Sequence, residues 1–335
     1  MKKQGSTYLF ERPVYVAGYA ACVGTKEEQG PLAGSFDVVL TDNRYGQDTW
    51  EKAESAMVET AARRAISKAG MQELDIGCAL GGDLLNQCIA SGYAMRQLGQ
   101  PYFGLYGACS TMAESLLLGS TLIAGGFEQH VLCMASSHFC SAERQYRYPL
   151  EYGGQRTPTA QWTVTGAGAV VLSSGYQPVR LVRATPGRVF DPGIKDAANM
   201  GAAMAQSAYE TLRTFFHDTG TGPQDYDLIA TGDLGFIGSQ LLQSLFRGDG
   251  MPLGEQYTDC GLLIFDRVRQ DVHAGGSGCG CCASVLCAHI LPKMQQRQLQ
   301  RVLVCATGAM MSPVSVNQGE SIPGICHLLE LEVCQ

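Results

Sequence analysis

A chain of 335 residues with 41 glycines, 45% hydrophobic and only 16% charged residues has the composition of a compact fold with many tight turns, which excludes a disordered chain. Its formal net charge of −7, with no basic run, argues against nucleic acid as a partner. The length suits one large core or two moderate ones. No run of about 18 apolar residues could span a membrane. The basic start Met1-Lys2-Lys3-Gln4-Gly5-Ser6 lacks the apolar stretch and cleavage site of a signal peptide. Cytoplasmic synthesis is therefore expected, with peripheral attachment to a membrane protein left open. The 14 cysteines lie in apolar runs such as Val131-Leu132-Cys133-Met134 rather than in a small loop-rich frame, so reduced thiols are expected.

In chain order, Thr49 to Ala69 predicts a helix, with Trp50, Ala53, Met57, Ala61 and Ala65 at spacings of three and four and Gly70 placed to end it. A buried strand at Ile76–Leu80, a turn at Gly81-Gly82-Asp83, a helix from Asn86 to Leu98 and a strand at Tyr102–Tyr106 follow. Next comes Gly107-Ala108-Cys109-Ser110-Thr111, read as the start of a helix that runs to Ala124 and leads into a strand at Val131–Ala135. Strand and helix alternation of this kind predicts an α/β fold with a mainly parallel sheet. Free amide groups and the positive end of the macrodipole at a helix start are expected to push the Cys109 thiol toward thiolate.

The pattern then recurs. Asp227-Leu228-Ile229-Ala230-Thr231-Gly232-Asp233-Leu234 matches Asp75 to Leu84, each strand ending on Gly-Asp-Leu. The helix opened by Gly278-Cys279-Gly280 reaches the strand at Val302–Ala306 after the same interval that separates Gly107 from Val131. An internal duplication is expected, with residues 1–175 as the half carrying Cys109 and 176–335 as the half carrying the Gly/Cys-rich turn. Within the first half, Ser136 to Thr165 has no clear periodicity, and a loop of that length predicts a functional segment or an interface.

Duplicated halves, a Cys at a helix start in the first and a glycine-rich turn into a helix in the second resemble the thiolase-like superfamily, whose duplicated α/β halves stack as αβαβα layers. Five stretches are similar to the stage V sporulation protein AD family: Gly82-Asp83-Leu84-Leu85-Asn86-Gln87, Gly107-Ala108-Cys109-Ser110-Thr111, Ala142-Glu143-Arg144-Gln145-Tyr146-Arg147-Tyr148-Pro149, Glu151-Tyr152-Gly153-Gly154-Gln155 and Ala274-Gly275-Gly276-Ser277-Gly278-Cys279. That resemblance implies a protein that binds dipicolinic acid, pyridine-2,6-dicarboxylate. It would take part in moving the acid, with calcium, into the developing spore, beside membrane-embedded partners of the same operon at the spore inner membrane. A homodimer is expected from the same resemblance, and no cofactor beyond calcium carried with the ligand.

Condensing enzymes of the superfamily pair the nucleophilic Cys with His and Asn, or two His, from the second half. In this sequence the first such position falls in Thr231-Gly232-Asp233-Leu234, without a His, and Cys279 stands where Asn would be. An ionised Asp opposes a thiolate and cannot donate to an oxyanion. Non-enzymatic binding is therefore expected, the alternative being an acyltransferase with Cys109 as nucleophile and His138 as base. A loop-bonding histidine is the other reading of His138; His289 is expected to be packed.

For a planar dicarboxylate, Arg144 and Arg147 could clamp carboxylates bidentately beside Tyr146, Tyr148 and Tyr152. Pairing of those arginines with Glu143 and Glu151 in a dimer interface fits equally. The Cys109 helix start would add amide donors. Asp83 and Asp233 could bridge to the ligand through calcium, or each could cap the turn that follows. The expected ligand-binding set is thus Asp83, Cys109, His138, Arg144, Arg147, Asp233 and Cys279. No resident metal is expected: Cys279, Cys281, Cys282 and Cys287 lack a second paired unit at ligand spacing, and Gly275-Gly276-Ser277-Gly278 lacks the Lys-Ser/Thr of a phosphate loop.

Overall fold

The computed structural model describes residues 2–146 and 155–334. Helix α1 (Trp50–Lys68) starts where the sequence places it, with the Thr49 hydroxyl accepting from the Lys52 amide at 3.3 Å. The first half holds strands β1 (Thr7–Val23), β2 (Cys78–Gly82), β3 (Tyr102–Gly104), β4 (His130–Ser137) and β5 (Gly166–Ser173). With them come helices α2 (Ile89–Leu98), α3 (Thr111–Gly125) and α4 (Phe139–Tyr146). The second half holds β6 (Val179–Thr185), α5 (Met200–Thr219), β7 (Leu228–Thr231), α6 (Gly235–Gly248), β8 (Tyr257–Asp259), α7 (Cys279–Val285), β9 (Arg301–Ala309) and β10 (Gly324–Val333).

The main strand path runs β8-β7-β9-β10-β6-β1-β5-β4-β2-β3. Read outward from the centre, each half has the same order: first strand, fifth, fourth, second, third. The parallel pairs β4–β2 and β2–β3 match β9–β7 and β7–β8, and the antiparallel pairs match likewise. Antiparallel pairing of β1 with β6 joins the two sets into one sheet.

Strand alternation sorts side chains into separate cores. On β4, Val131, Cys133 and Ala135 face a central core while Leu132 and Met134 face an outer one. On β9, Val302, Val304 and Ala306 share that central core, and Leu303 and Cys305 turn to the opposite outer one. Helices α3 and α7 fill the central layer, α1 and α2 cover the first half's outer face, and α5 and α6 cover the second's. This is the αβαβα stacking expected from the resemblance. Both faces of the sheet are covered, so the strands read as near-continuous apolar runs.

Close approach of the central helix to the sheet depends on missing side chains. A Cβ on Gly168 of β5 would lie 2.4 Å from the Ala283 carbonyl oxygen and 2.5 Å from its carbon, both backbone atoms of α7. Gly168→Ala is accordingly expected to cost about 2–3 kcal/mol, read from the urea unfolding midpoint. An unchanged midpoint would show that α7 shifts freely.

The sheet is mixed rather than mainly parallel, because the two innermost strands of each half and the junction between the halves pair antiparallel, and three local expectations are corrected as well. The helix foreseen from Asn86 begins as a single 3-10 turn over Asn86–Cys88, with Gln87 and Cys88 at φ +60° and +51°, and α2 proper starts at Ile89. The aperiodic stretch after Ser136 contains α4, whose eight residues are too short for periodicity to show. The helix opened by Gly278 widens into a π-turn over Leu286–Ile290.

Candidate functional site

A cavity of about 310 Å³ opens where the two halves meet, near the lower end of the range for small-molecule sites. One wall is the link after β2 (Leu84, Asn86), the second is α4 (Ala142, Glu143, Tyr146), and the floor is Ala108-Cys109. The second half supplies Met200 at the start of α5, Ser277 before α7, and the run Ala309-Met310-Met311-Ser312-Pro313 leaving β9. Among the described lining residues Glu143 is the only charged side chain. The rim is tied by hydroxyls: Tyr146 donates to the Leu84 carbonyl, Tyr106 and Tyr146 share a hydrogen bond of 2.7 Å, and Tyr106 donates to Asn86 Oδ1 at 3.2 Å. The Gln145 side chain accepts from the Asn86 amide at 3.0 Å.

Cys109 is 6% exposed and lies in a 3-10 turn over Ala108–Ser110, one turn before α3 begins. Its thiol lies near enough to the Asp233 carboxylate for each to act on the other's charge. Burial, then the Asp233 charge and the neighbouring Cys279 push the thiol well above its ordinary value. The expected thiolate is therefore corrected: desolvation and a facing carboxylate outweigh the helix start. Asp233 follows β7 and accepts from Thr307 Oγ1 at 2.8 Å, the Gly278 amide at 3.0 Å and Ser277 Oγ at 3.2 Å, and burial raises its own pKa. It ties the link after β7 to two other segments of the second half, Ser277-Gly278 and the end of β9.

The other sequence-derived candidates fall apart from this cluster. Asp83, fully buried, accepts from the Leu85 amide at 2.9 Å and the Ser91 amide at 2.8 Å, so it fastens the link into α2 and does not line the cavity. Its matching place in the duplication does not give it the role of Asp233. His138 is also fully buried. Its Nε2 pairs with the Asn43 carbonyl at 2.8 Å and its Nδ1 accepts from the Cys140 amide at 3.2 Å. Both nitrogens are held by backbone, burial lowers its pKa, and it is not among the residues that line the cavity with Cys109.

Arg144 is half-exposed and ion-paired with Glu51, away from the cavity its neighbours Glu143 and Tyr146 line. Arg147, with Tyr148, Glu151 and Tyr152, lies outside the described residues. Cys279 is fully buried beneath the floor, its thiol donating to the Ala108 carbonyl at 2.9 Å. Neither Asp83 nor Asp233 is among the residues that line the cavity.

Sequence reasoning missed the methionine wall of Met200, Met310 and Met311. Nothing local marks those residues, because only the strand order brings the end of β9 and the start of α5 opposite Cys109. Asn86 stood in one of the family-like stretches but carried no role until Tyr106 and Gln145 were seen to hold it.

Comparison with known proteins places this geometry. The structure resembles 3-oxoacyl-[acyl-carrier-protein] synthase III of Aquifex aeolicus, with 12% identity, a TM-score of 0.58 and coverage of 95% of this chain and 99% of that one. It also resembles cerulenin-bound OleA of Xanthomonas campestris, with 16% identity, a TM-score of 0.63 and coverage of 99% and 100%. At such identities the likeness is one of fold, thiolase-like in both. No described helix is long and apolar enough to cross a membrane. The stage V sporulation protein AD of Bacillus subtilis is 44% identical over 328 residues, covering 98% of this chain and 97% of its own. The family model described as stage V sporulation protein AD matches residues 4–332. On a thiolase-like layered fold, sequence agreement along nearly the whole length makes this chain a member of the stage V sporulation protein AD family, which acts in sporulation.

Proposed function

We propose that this protein binds dipicolinic acid, with calcium, in the cavity above Cys109, and does so without covalent chemistry. The observation that carries the reading is a buried Cys109 thiol, with the Asp233 carboxylate close behind it, at the floor of a cavity sized for a small ring. A thiol held protonated by burial and a carboxylate is a poor nucleophile, so the floor of a condensing-enzyme fold is left as a binding surface. The lining suits a planar ligand with polar ends. Methionine side chains offer adaptable, polarisable faces for an aromatic ring, and Asn86, Thr163, Ser277 and the tyrosine rim offer hydrogen bonds. A calcium chelate of the dicarboxylate is neutral, which accords with described walls whose one charge is the Glu143 carboxylate. Action as a homodimer at the spore inner membrane, beside membrane-embedded partners of the same operon, belongs to the same proposal.

Titration calorimetry with dipicolinate tests it. Saturable binding is expected, tighter with calcium present, and weakened about tenfold in Tyr146→Phe, which removes the hydroxyl that ties α4 to Leu84. Absence of binding at millimolar ligand, with and without calcium, would overturn the proposal. Incubation with acyl-coenzyme A is expected to leave Cys109 unmodified by mass spectrometry, and a stable acyl adduct there would favour an acyltransferase instead.

A further inference from the structure

We infer that Cys279 is a positioning residue: its thiol, reaching from the second half, holds the left-handed backbone of Ala108 and thereby sets the place of Cys109. Ala108 has φ +52°, a region that alanine occupies only where its surroundings enforce it. The neighbouring Gly107, which could take that conformation freely, instead has φ −91°, so local sequence does not supply the turn. The surroundings do. The Ala108 carbonyl accepts from Thr111 Oγ1 at 2.7 Å within its own turn and from Cys279 Sγ at 2.9 Å across the junction of the halves. Beside it, the backbone of Gly308 lies so close that a Cβ there would be 2.7 Å from the Gly107 carbonyl oxygen and 3.1 Å from the Ser110 nitrogen. Cys279 is fully buried and does not line the cavity, so it reaches a ligand only through this turn. At the position where condensing enzymes of the superfamily carry Asn, this chain keeps a hydrogen-bond donor but aims it at backbone.

The inference concerns the cavity floor and stands whatever the cavity binds. Its test is the rate of Cys109 alkylation by iodoacetamide, followed on the Cys109 peptide by mass spectrometry as a function of pH. Cys279→Ala frees the turn, so Cys109 is expected to part from Asp233 and react about tenfold faster at pH 8, with its pH midpoint moved down. Cys279→Ser keeps a donor and is expected to stay within about twofold of the wild type. Glycine at position 108 adopts the left-handed turn unaided, so in an Ala108→Gly background the Cys279→Ala change is expected to lose its effect to within about twofold. Equal reactivity of the Ser and Ala variants, an unchanged rate in Cys279→Ala, or a rise that persists in the double variant would overturn the inference. If Cys279→Ala does not fold, cooperative urea unfolding of the double variant with slow Cys109 alkylation supports it. Loss of folding in both would assign Cys279 a packing role and overturn it.

Discussion

Replacing Asp233 with asparagine is expected to speed alkylation of Cys109 at pH 8 by about tenfold or more. The wild-type thiol is held up by burial and by the Asp233 charge; the substitution removes the second cause and leaves the first. Asparagine can keep the local framework. Its carbonyl oxygen can accept from the Gly278 amide, as Asp233 Oδ2 does at 3.0 Å, while its amide faces Thr307 Oγ1, now 2.8 Å from Oδ1 and able to turn from donor to acceptor. Asp233→Ala is different in kind. It would strand the Gly278 amide and the Thr307 hydroxyl in a fully buried position, at a cost of about 2–4 kcal/mol in unfolding free energy. An Asn variant whose Cys109 reacts within about twofold of the wild type would show that burial alone governs the thiol. Such a result would remove the main physical argument for a non-covalent cavity.

The second large effect is a loss of stability as pH rises. Burial pushes Glu54 up to about 8, with the neighbouring Asp83 charge adding to it, and pushes Glu27 and Asp259 up to about 7. Each of these carboxyls takes up its proton near pH 4–4.5 in the unfolded chain but near 7–8 in the folded one. Their contribution is therefore complete below pH 4 and is lost as pH rises through 7 to 8. His138 and His327, their pKa values lowered by burial, act in the opposite sense, but that effect is nearly spent by pH 7. A net fall on the order of 2 kcal/mol between pH 6.5 and 8 is expected, visible as a lower urea midpoint at pH 8. A higher midpoint at pH 8 would contradict the assignment of these groups as buried and protonated.

The loss would fall on the cavity walls. Glu54 accepts from Ser136 of β4 and Ser141 of α4, both at 2.9 Å, and so seats the helix that carries Glu143 and Tyr146. Asp259 accepts from Thr231 Oγ1 at 2.6 Å and from the amides of Leu234, Gly235 and Gly261 at 2.9, 3.0 and 3.0 Å, bracing the link that holds Asp233. Carboxyl groups in such places brace the site without entering it.

The amino-acid sequence by itself determined the elements and their repetition. The apolar spacing of α1 and the runs of β4 and β9 are local patterns that follow from periods of two and 3.6, the equal intervals from Gly107 and Gly278 mark the repeat, and the absence of His at Asp233 and of Asn at Cys279 is legible only against the superfamily resemblance. The stretches around Asp83, Cys109 and Cys279 were enough for the family. Only the tertiary structure decided which of the candidate residues meet. Asp83 and Asp233 are indistinguishable in sequence, yet one fastens α2 and the other, held by Ser277, Gly278 and Thr307, sets its charge beside Cys109, because only the second lies where both halves converge. His138 and Arg144 are spent on Asn43 and Glu51, partners remote in sequence that no spacing reveals. The state of the Cys109 thiol is likewise a tertiary property. A helix start favours negative charge by a dipole that fades within a turn, whereas burial excludes water from the Cys109 thiol and strengthens the Coulomb effect of the nearby Asp233 carboxylate.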